Sequence, residues 1–115
     1  MNEYPKVVPK KWGQEIWYFL NDKYCFKQIY LNAGYFTSLQ YHEKKHETIT
    51  IANGHAIFYY MLEGAIASKE VGPGFSITLE PLTIHRFKAL TDLTMYECST
   101  PEVDDVVRLE DGGKA

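Results

Sequence analysis

The sequence predicts one small all-β domain, a barrel or sandwich of about nine short strands. Three observations carry this. Short apolar runs are broken at regular intervals by Gly, Pro, Asn and Asp. Nine Tyr, six Phe and two Trp in 115 residues favour strands over helices. No segment keeps a helical period.

The runs follow in order. Glu15–Leu20 reads as a strand ended by Asn21-Asp22, and Tyr24–Leu31 as a second ended by Asn32-Ala33-Gly34. Phe36–Gln40 leads into the polar segment Tyr41–His46. Glu47–Ala52 alternates and stops at the tight turn Asn53-Gly54. Ala56–Leu62 is apolar, Glu63-Gly64 turns it, and Ile66–Val71 follows. Gly72-Pro73-Gly74 is the strongest punctuation in the chain. Phe75–Leu79, His85–Leu90 and Leu93–Ser99 complete the set, with Pro81 and Thr91-Asp92 marking turns. An N-terminal arm of about residues 1–12 and an acidic, then Gly-rich tail of about 101–115 flank the domain, the tail's last residues fraying.

Hydrophobic residues make up 45%, enough for a core without staples. Twelve basic and fifteen acidic residues give a net charge of -3. That balance excludes a nucleic-acid surface or an anionic-membrane surface. No apolar run approaches a membrane span, and Met1–Lys11 lacks the apolar core of a signal peptide. Cys25 and Cys98 each lie in an apolar run and predict two buried, reduced thiols in a cytoplasmic protein.

The chemistry lies in spacing. Gly34, Gln40, His42, Glu47 and Gly54 form the pattern G-(x)5-Q-x-H-(x)4-E-(x)6-G. Gln40 and His42 are two apart, so on a strand they share a face. Glu47 opens the next strand, and antiparallel pairing can return it beside them. His85 opens a later strand. Two imidazoles, a carboxylate and an amide oxygen suit one divalent ion: Zn first, with Mn, Co, Ni or Fe also suited.

This pattern resembles the cupins, whose first motif is G-(x)5-H-x-H-(x)3–4-E-(x)6-G, with Gln40 here replacing the first His. Gly74 and His85 keep the register of the second cupin motif. Glu80, Leu82 and Ala89 stand where it has Pro, Gly and Asn. The resemblance implies a jelly-roll barrel, the cupin double-stranded β-helix, with Gln40, His42, Glu47 and His85 as metal ligands.

Leu39-Gln40-Tyr41-His42 is similar in particular to the cupin domain of type II phosphomannose isomerases. Lys10-Lys11-Trp12-Gly13 resembles that domain's entry, and Asp104–Asp111 its closing segment. The guanylyltransferase portion to which that domain is usually fused is absent from this sequence, so its activity is not implied. The resemblance implies interconversion of mannose 6-phosphate and fructose 6-phosphate through an enediol. His46, Lys45 and Tyr96 are the candidate general bases. Lys44, Lys45, Arg86, Lys88 and Arg108 are the charges available to a sugar phosphate. Strict alternation turns Arg86 away from the face of His85, and Lys88 with it. Small cupins commonly pair through edge strands, so the resemblance also implies a homodimer, with Trp12 and Trp17 offered to the contact. Two other readings fit the same residues. One is a different metal-dependent cupin enzyme, such as a non-haem iron dioxygenase using His42, Glu47 and His85. The other is a non-catalytic module that binds a sugar or sugar nucleotide.

Overall fold

The computed structural model describes residues 3–114, so residues 1, 2 and 115 of the expected arm and tail lie outside it. Strands and turns account for the described chain, and it contains no helix. The first sheet uses β1 (Lys6–Lys10), β2 (Gly13–Leu20), β3 (Cys25–Leu31), β6 (Glu47–Asn53), β9 (Ser76–Leu79) and β11 (Leu93–Ser99). Its order is β1-β2-β3-β11-β6-β9, antiparallel throughout. The second uses β4 (Tyr35–Phe36), β5 (Leu39–Tyr41), β7 (Ala56–Leu62), β8 (Ala65–Val71), β10 (His85–Ala89), β12 (Val107–Glu110) and β13 (Gly113–Lys114). Here β10 pairs with β4, β5 and β7, and β8 flanks β7. The two sheets face each other as the expected all-β jelly-roll barrel.

Most of the expected strands are present, and the differences lie at the ends and in one split. Phe36–Gln40 divides into β4 and β5, because Thr37 and Ser38 leave the ladder between them. The tail does not fray at residues 113 and 114. It returns as β12 on β5 and β13 on β4, covering edges that would otherwise leave N–H and C=O groups unpaired. Gly112 permits this approach, since a Cβ there would lie 2.8 Å from the Phe36 carbonyl oxygen. The arm likewise pairs, as β1 on β2.

The barrel interior changes character along its axis. On β11, Leu93 and Met95 point inward, and then Glu97 and Ser99 do. Their partners follow the same division: Leu31 and Ile29, then Lys27, on β3, and Ile51 and Ile49, then Glu47, on β6. On β10, Ala89 and Phe87 give way to His85. Phe58 packs on Phe87 with ring centroids 4.9 Å apart and anchors the apolar half. One end of the barrel is therefore a hydrophobic core, and the other is a polar cup.

Turn geometry holds the cup walls in register. Gly54 ends β6 at φ 93°, where a Cβ would meet the Asp92 carbonyl oxygen at 2.2 Å, so only glycine fits. Leu82 stands at the cupin glycine position and keeps the left-handed conformation, φ 72°. Its N–H donates to the His42 carbonyl at 2.7 Å.

The thiols differ from expectation in one respect. Cys25 is buried, but Cys98 is exposed, because β11 alternation puts it outward with Thr94 and Tyr96. Both are free.

Candidate metal centre

His42, Glu47 and His85 converge in the polar cup. One ligand atom from each lies within 4.8 Å of the others, and all three residues are buried. The strands explain the meeting: β10 pairs with β5 at His85 and Gln40, and Glu47 opens β6 on the facing sheet.

Both imidazoles are oriented through the nitrogen that turns away from the cup. His42 Nδ1 donates to the Asp105 carbonyl at 2.5 Å, and His85 Nδ1 donates to the Thr83 carbonyl at 2.8 Å. A carbonyl only accepts, so each Nδ1 carries a proton. In the neutral ring Nε2 is then the lone-pair atom, as metal ligation requires. His42 Nε2 lies 2.9 Å from Glu47 Oε2, and that oxygen is buried with no hydrogen-bond donor. Two inward nitrogens and an unpartnered carboxylate oxygen fit a divalent ion of intermediate softness. Gln40 completes the group in part. Its Nε2 is 3.4 Å from His42 Nε2, while its Oε1 accepts from the Ser38 hydroxyl. A hydroxyl can donate or accept, so half a turn of the amide presents the oxygen without losing that bond.

The electrostatics agree with this set. Burial pushes the Glu47 carboxyl up, but His42, Lys45 and His85 together overcome it and hold the group at about 2. Burial pushes His85 below the ordinary imidazole range, against the attraction of Glu47. At neutral pH the site thus offers a carboxylate and an uncharged His85.

Beside it lies a buried ion network. Lys45 Nζ is 2.8 Å from Glu97 Oε2, and Lys27 Nζ is 3.9 Å from the same oxygen. Lys27 also sits 3.4 Å from Glu15 and 4.6 Å from the centre of the Trp17 ring. Burial, followed by repulsion from Glu47, raises the Glu97 carboxyl. Burial opposes the Lys45 charge, but Glu97 and Glu47 outweigh it and keep Lys45 protonated above the usual range. The cup has a volume of about 250 Å³. Lys10, Lys11 and Arg108 stand among its lining residues. No ion pair engages Arg108 among the described residues.

The remaining sequence candidates fall in different places. Lys45 lines the cup, while Lys44 and His46 are exposed on the loop before β6. Tyr96 lies on the outer face of the first sheet, where its hydroxyl accepts from Gln28 Nε2 at 3.0 Å. Arg86 and Lys88 point outward from the second sheet, as alternation required. Arg86 stacks over Phe36 at 4.4 Å and pairs with Glu110 at 2.9 Å. Trp12 is buried and Trp17 lines the cup, so both point inward. Glu97 and Lys27 escaped the sequence reading. Parity was the available signal, since Glu97 shares a strand face with Leu93 and Met95, and Lys27 with Ile29 and Leu31.

No protein-family model matches this chain, and no curated protein matches it. Solved structures do resemble it. An oxalate decarboxylase from Bacillus subtilis superposes with a TM-score of 0.77 at 16% identity, over 92% of this chain and 30% of that one. The capsular polysaccharide assembling protein CapF from Staphylococcus aureus gives 0.74 at 16%, over 94% and 33%. A Lactobacillus farciminis oxalate decarboxylase in a formate complex gives 0.75 at 13%, over 90% and 33%. This chain spans about a third of the length of these structures. At such identities the likeness establishes the fold.

Proposed function

We propose that this chain, which has the cupin fold, is a divalent-metal-dependent sugar-phosphate isomerase that interconverts mannose 6-phosphate and fructose 6-phosphate. One observation carries the metal-dependent part. Both histidines spend Nδ1 on backbone carbonyls and so aim Nε2, with Glu47 Oε2, at a common point. Resemblance at Leu39-Gln40-Tyr41-His42 supports the choice of substrate.

His42, Glu47 and His85, with Gln40 after its amide turns, would hold the ion. When bound, it supplies a Lewis acid that polarises the adjacent hydroxyl and carbonyl oxygens of the sugar. Aldose–ketose exchange then needs a base that takes a proton from one carbon and returns it to the neighbouring one. Glu97 suits this role better than the three sequence candidates. It is buried in the cup beside the proposed ion site, and burial raises its carboxyl above the ordinary carboxylate value, which makes it a stronger base than a solvated one. Lys45 stays protonated beside it and serves as its electrostatic partner. Since Arg86 and Lys88 face outward, the phosphate falls to Arg108, Lys10 and Lys11.

A coupled assay for fructose 6-phosphate formed from mannose 6-phosphate tests the proposal. Turnover is expected from metal-loaded wild type and not from metal-stripped protein or His42→Ala. Folded, metal-loaded protein that never turns over mannose 6-phosphate would refute it.

A further inference from the structure

Charge is laid across the cup in a row. In the first sheet the neighbouring strands β6, β11, β3, β2 and β1 each bring a charged side chain to its lining: Glu47, Glu97, Lys27, Glu15 and Lys10, in that order. Glu97 stands opposite Lys27, and Lys27 opposite Trp17, in the strand register. Glu47 belongs to the ion site at one end of the row, and Lys10 to the cations at the other. Lys27 and Glu15 lie between them.

This pair is incompletely partnered. An ammonium has three N–H groups to place. Lys27 makes one hydrogen bond, to Glu15 Oε1 at 3.4 Å, longer than an ordinary N–H···O contact. Glu97 Oε2, at 3.9 Å, lies beyond hydrogen-bonding reach. Yet the Lys27 side chain is only 6% exposed and that of Glu15 12%. Among the described residues, both donors that Glu15 meets fall on Oε1: Trp17 Nε1 at 2.8 Å and Lys27 Nζ. Its Oε2 accepts from neither. Burial opposes the Glu15 charge, but Lys27 and the Trp17 N–H hold its carboxyl below the ordinary value, so at neutral pH it only accepts.

A buried donor and a buried acceptor thus stand side by side on the cup wall, each with capacity left. That combination discriminates between ligands. An anion would be drawn by Lys27 and repelled by Glu15, and a cation the reverse. A hydroxyl donates and accepts at once, so it satisfies both without bringing a charge. We infer that Lys27 and Glu15 form a subsite for the hydroxyls of a polyhydroxy carbon chain, lying between the ion and the cations that hold the two ends of the substrate. The inference deepens the isomerase reading and rests on it for the placing of those ends. Trp17 is a positioning residue: its N–H fixes Glu15 Oε1, and its ring lies against the Lys27 ammonium. A chain lacking hydroxyls here would leave both buried groups unmet, which makes the pair a determinant of specificity.

Calorimetric titration of the zinc-loaded full chain with mannitol 1-phosphate, a hexitol phosphate with no carbonyl to react, tests this apart from turnover. Wild type is expected to bind it. Glu15→Gln, which keeps an acceptor for Trp17, and Lys27→Met should each weaken binding roughly tenfold or more, the worth of a hydrogen bond to a charged group. Affinity for zinc and for inorganic phosphate should not change in either. Circular dichroism establishes folding, and if Lys27→Met does not fold, Glu15→Gln decides. Folded variants with wild-type affinity for the hexitol phosphate would overturn the inference. So would an equal loss for inorganic phosphate, which would make the pair a general charge site. Wild type that fails to bind the hexitol phosphate at about 10 mM would overturn it too. Weakened hexitol binding in the variants, with no isomerase turnover in wild type, would sustain the subsite and refute the isomerase reading. Turnover with KM unmoved by both substitutions would do the reverse.

Discussion

His42 Nε2 and Glu47 Oε2 face each other at 2.9 Å across the cup, while His42 Nδ1 is committed to the Asp105 carbonyl. With the ring neutral, both facing atoms are acceptors. Two acceptors stay at that distance only with a proton or a cation between them. Glu47 is held ionised at about 2, so the pair is built to share a positive charge.

A metal titration follows directly. One divalent ion per chain should bind, and His42→Ala or His85→Ala should weaken binding by ~100-fold or more. Calorimetric titration with Zn and Mn measures it. Saturation should also raise thermal stability, by about 2.7 kcal/mol at a free ion concentration 100 times Kd. Unchanged affinity in both variants would place the ion elsewhere.

Affinity should depend on pH in a defined direction. His85 is depressed below its ordinary value, so it is already neutral at pH 7 and binding releases no proton from it. Affinity should hold from pH 8 to pH 7 and fall once acid protonates His85. The same groups affect stability. A folded-state value lower than the unfolded one gives stability that is complete above the unfolded value and is lost on acidification. His85 therefore contributes fully above the normal imidazole value of 6.5. Glu47 contributes fully above 4.5, and its share disappears as pH falls through about 2. Urea melts of metal-free protein between pH 8 and pH 2 would show a decline in two stages.

Asp105 should act on the metal without touching it. Its carboxylate accepts from the backbone N–H groups of Glu43, Lys44 and Lys45, and its carbonyl orients His42. These bonds, that from Lys44 foremost, hold its carboxyl below the usual range. Asp105→Ala should leave the barrel folded and lower metal affinity roughly tenfold, the cost of a loosened orienting partner. Asp105→Asn keeps one acceptor oxygen and should lose less.

Glu97→Gln separates the proposed base from the ion site. Turnover should drop about 10²–10⁴-fold, the usual contribution of a positioned general base. Metal stoichiometry should stay at one. The variant also leaves Lys27 and Lys45 without their shared carboxylate, so a loss of roughly 3 kcal/mol in stability is expected as well. Full activity in this variant would return the base to another residue.

Leu82→Gly should stabilise the protein by roughly 1 kcal/mol. Leucine at φ 72° bears the left-handed penalty of a β-carbon, and its side chain, 66% exposed, gives little in return. A higher melting temperature with unchanged metal affinity is the expected result. A lower one would mean that the Leu82 side chain packs against something that matters.

The order of strands and turns, and His42, Glu47 and His85 as a group able to meet in one place, could be read from the sequence. Both are local properties: a turn residue or a two-residue spacing acts on its own neighbourhood. Strand parity also turned Arg86 and Lys88 away from His85. Parity sorts side chains into two faces but does not say which is inside, or at what depth. Packing alone placed Glu97 and Lys27 in the cup, Tyr96 and Cys98 outside, and Trp17 inside. The tail is the plainest case. Residues 107–114 carry no strong strand pattern, and they pair because β4 and β5, more than sixty residues earlier, leave edges to cover. The sequence determined which side chains could bind an ion; closure of two sheets, by contacts between residues far apart in the chain, determined which of the others surround it.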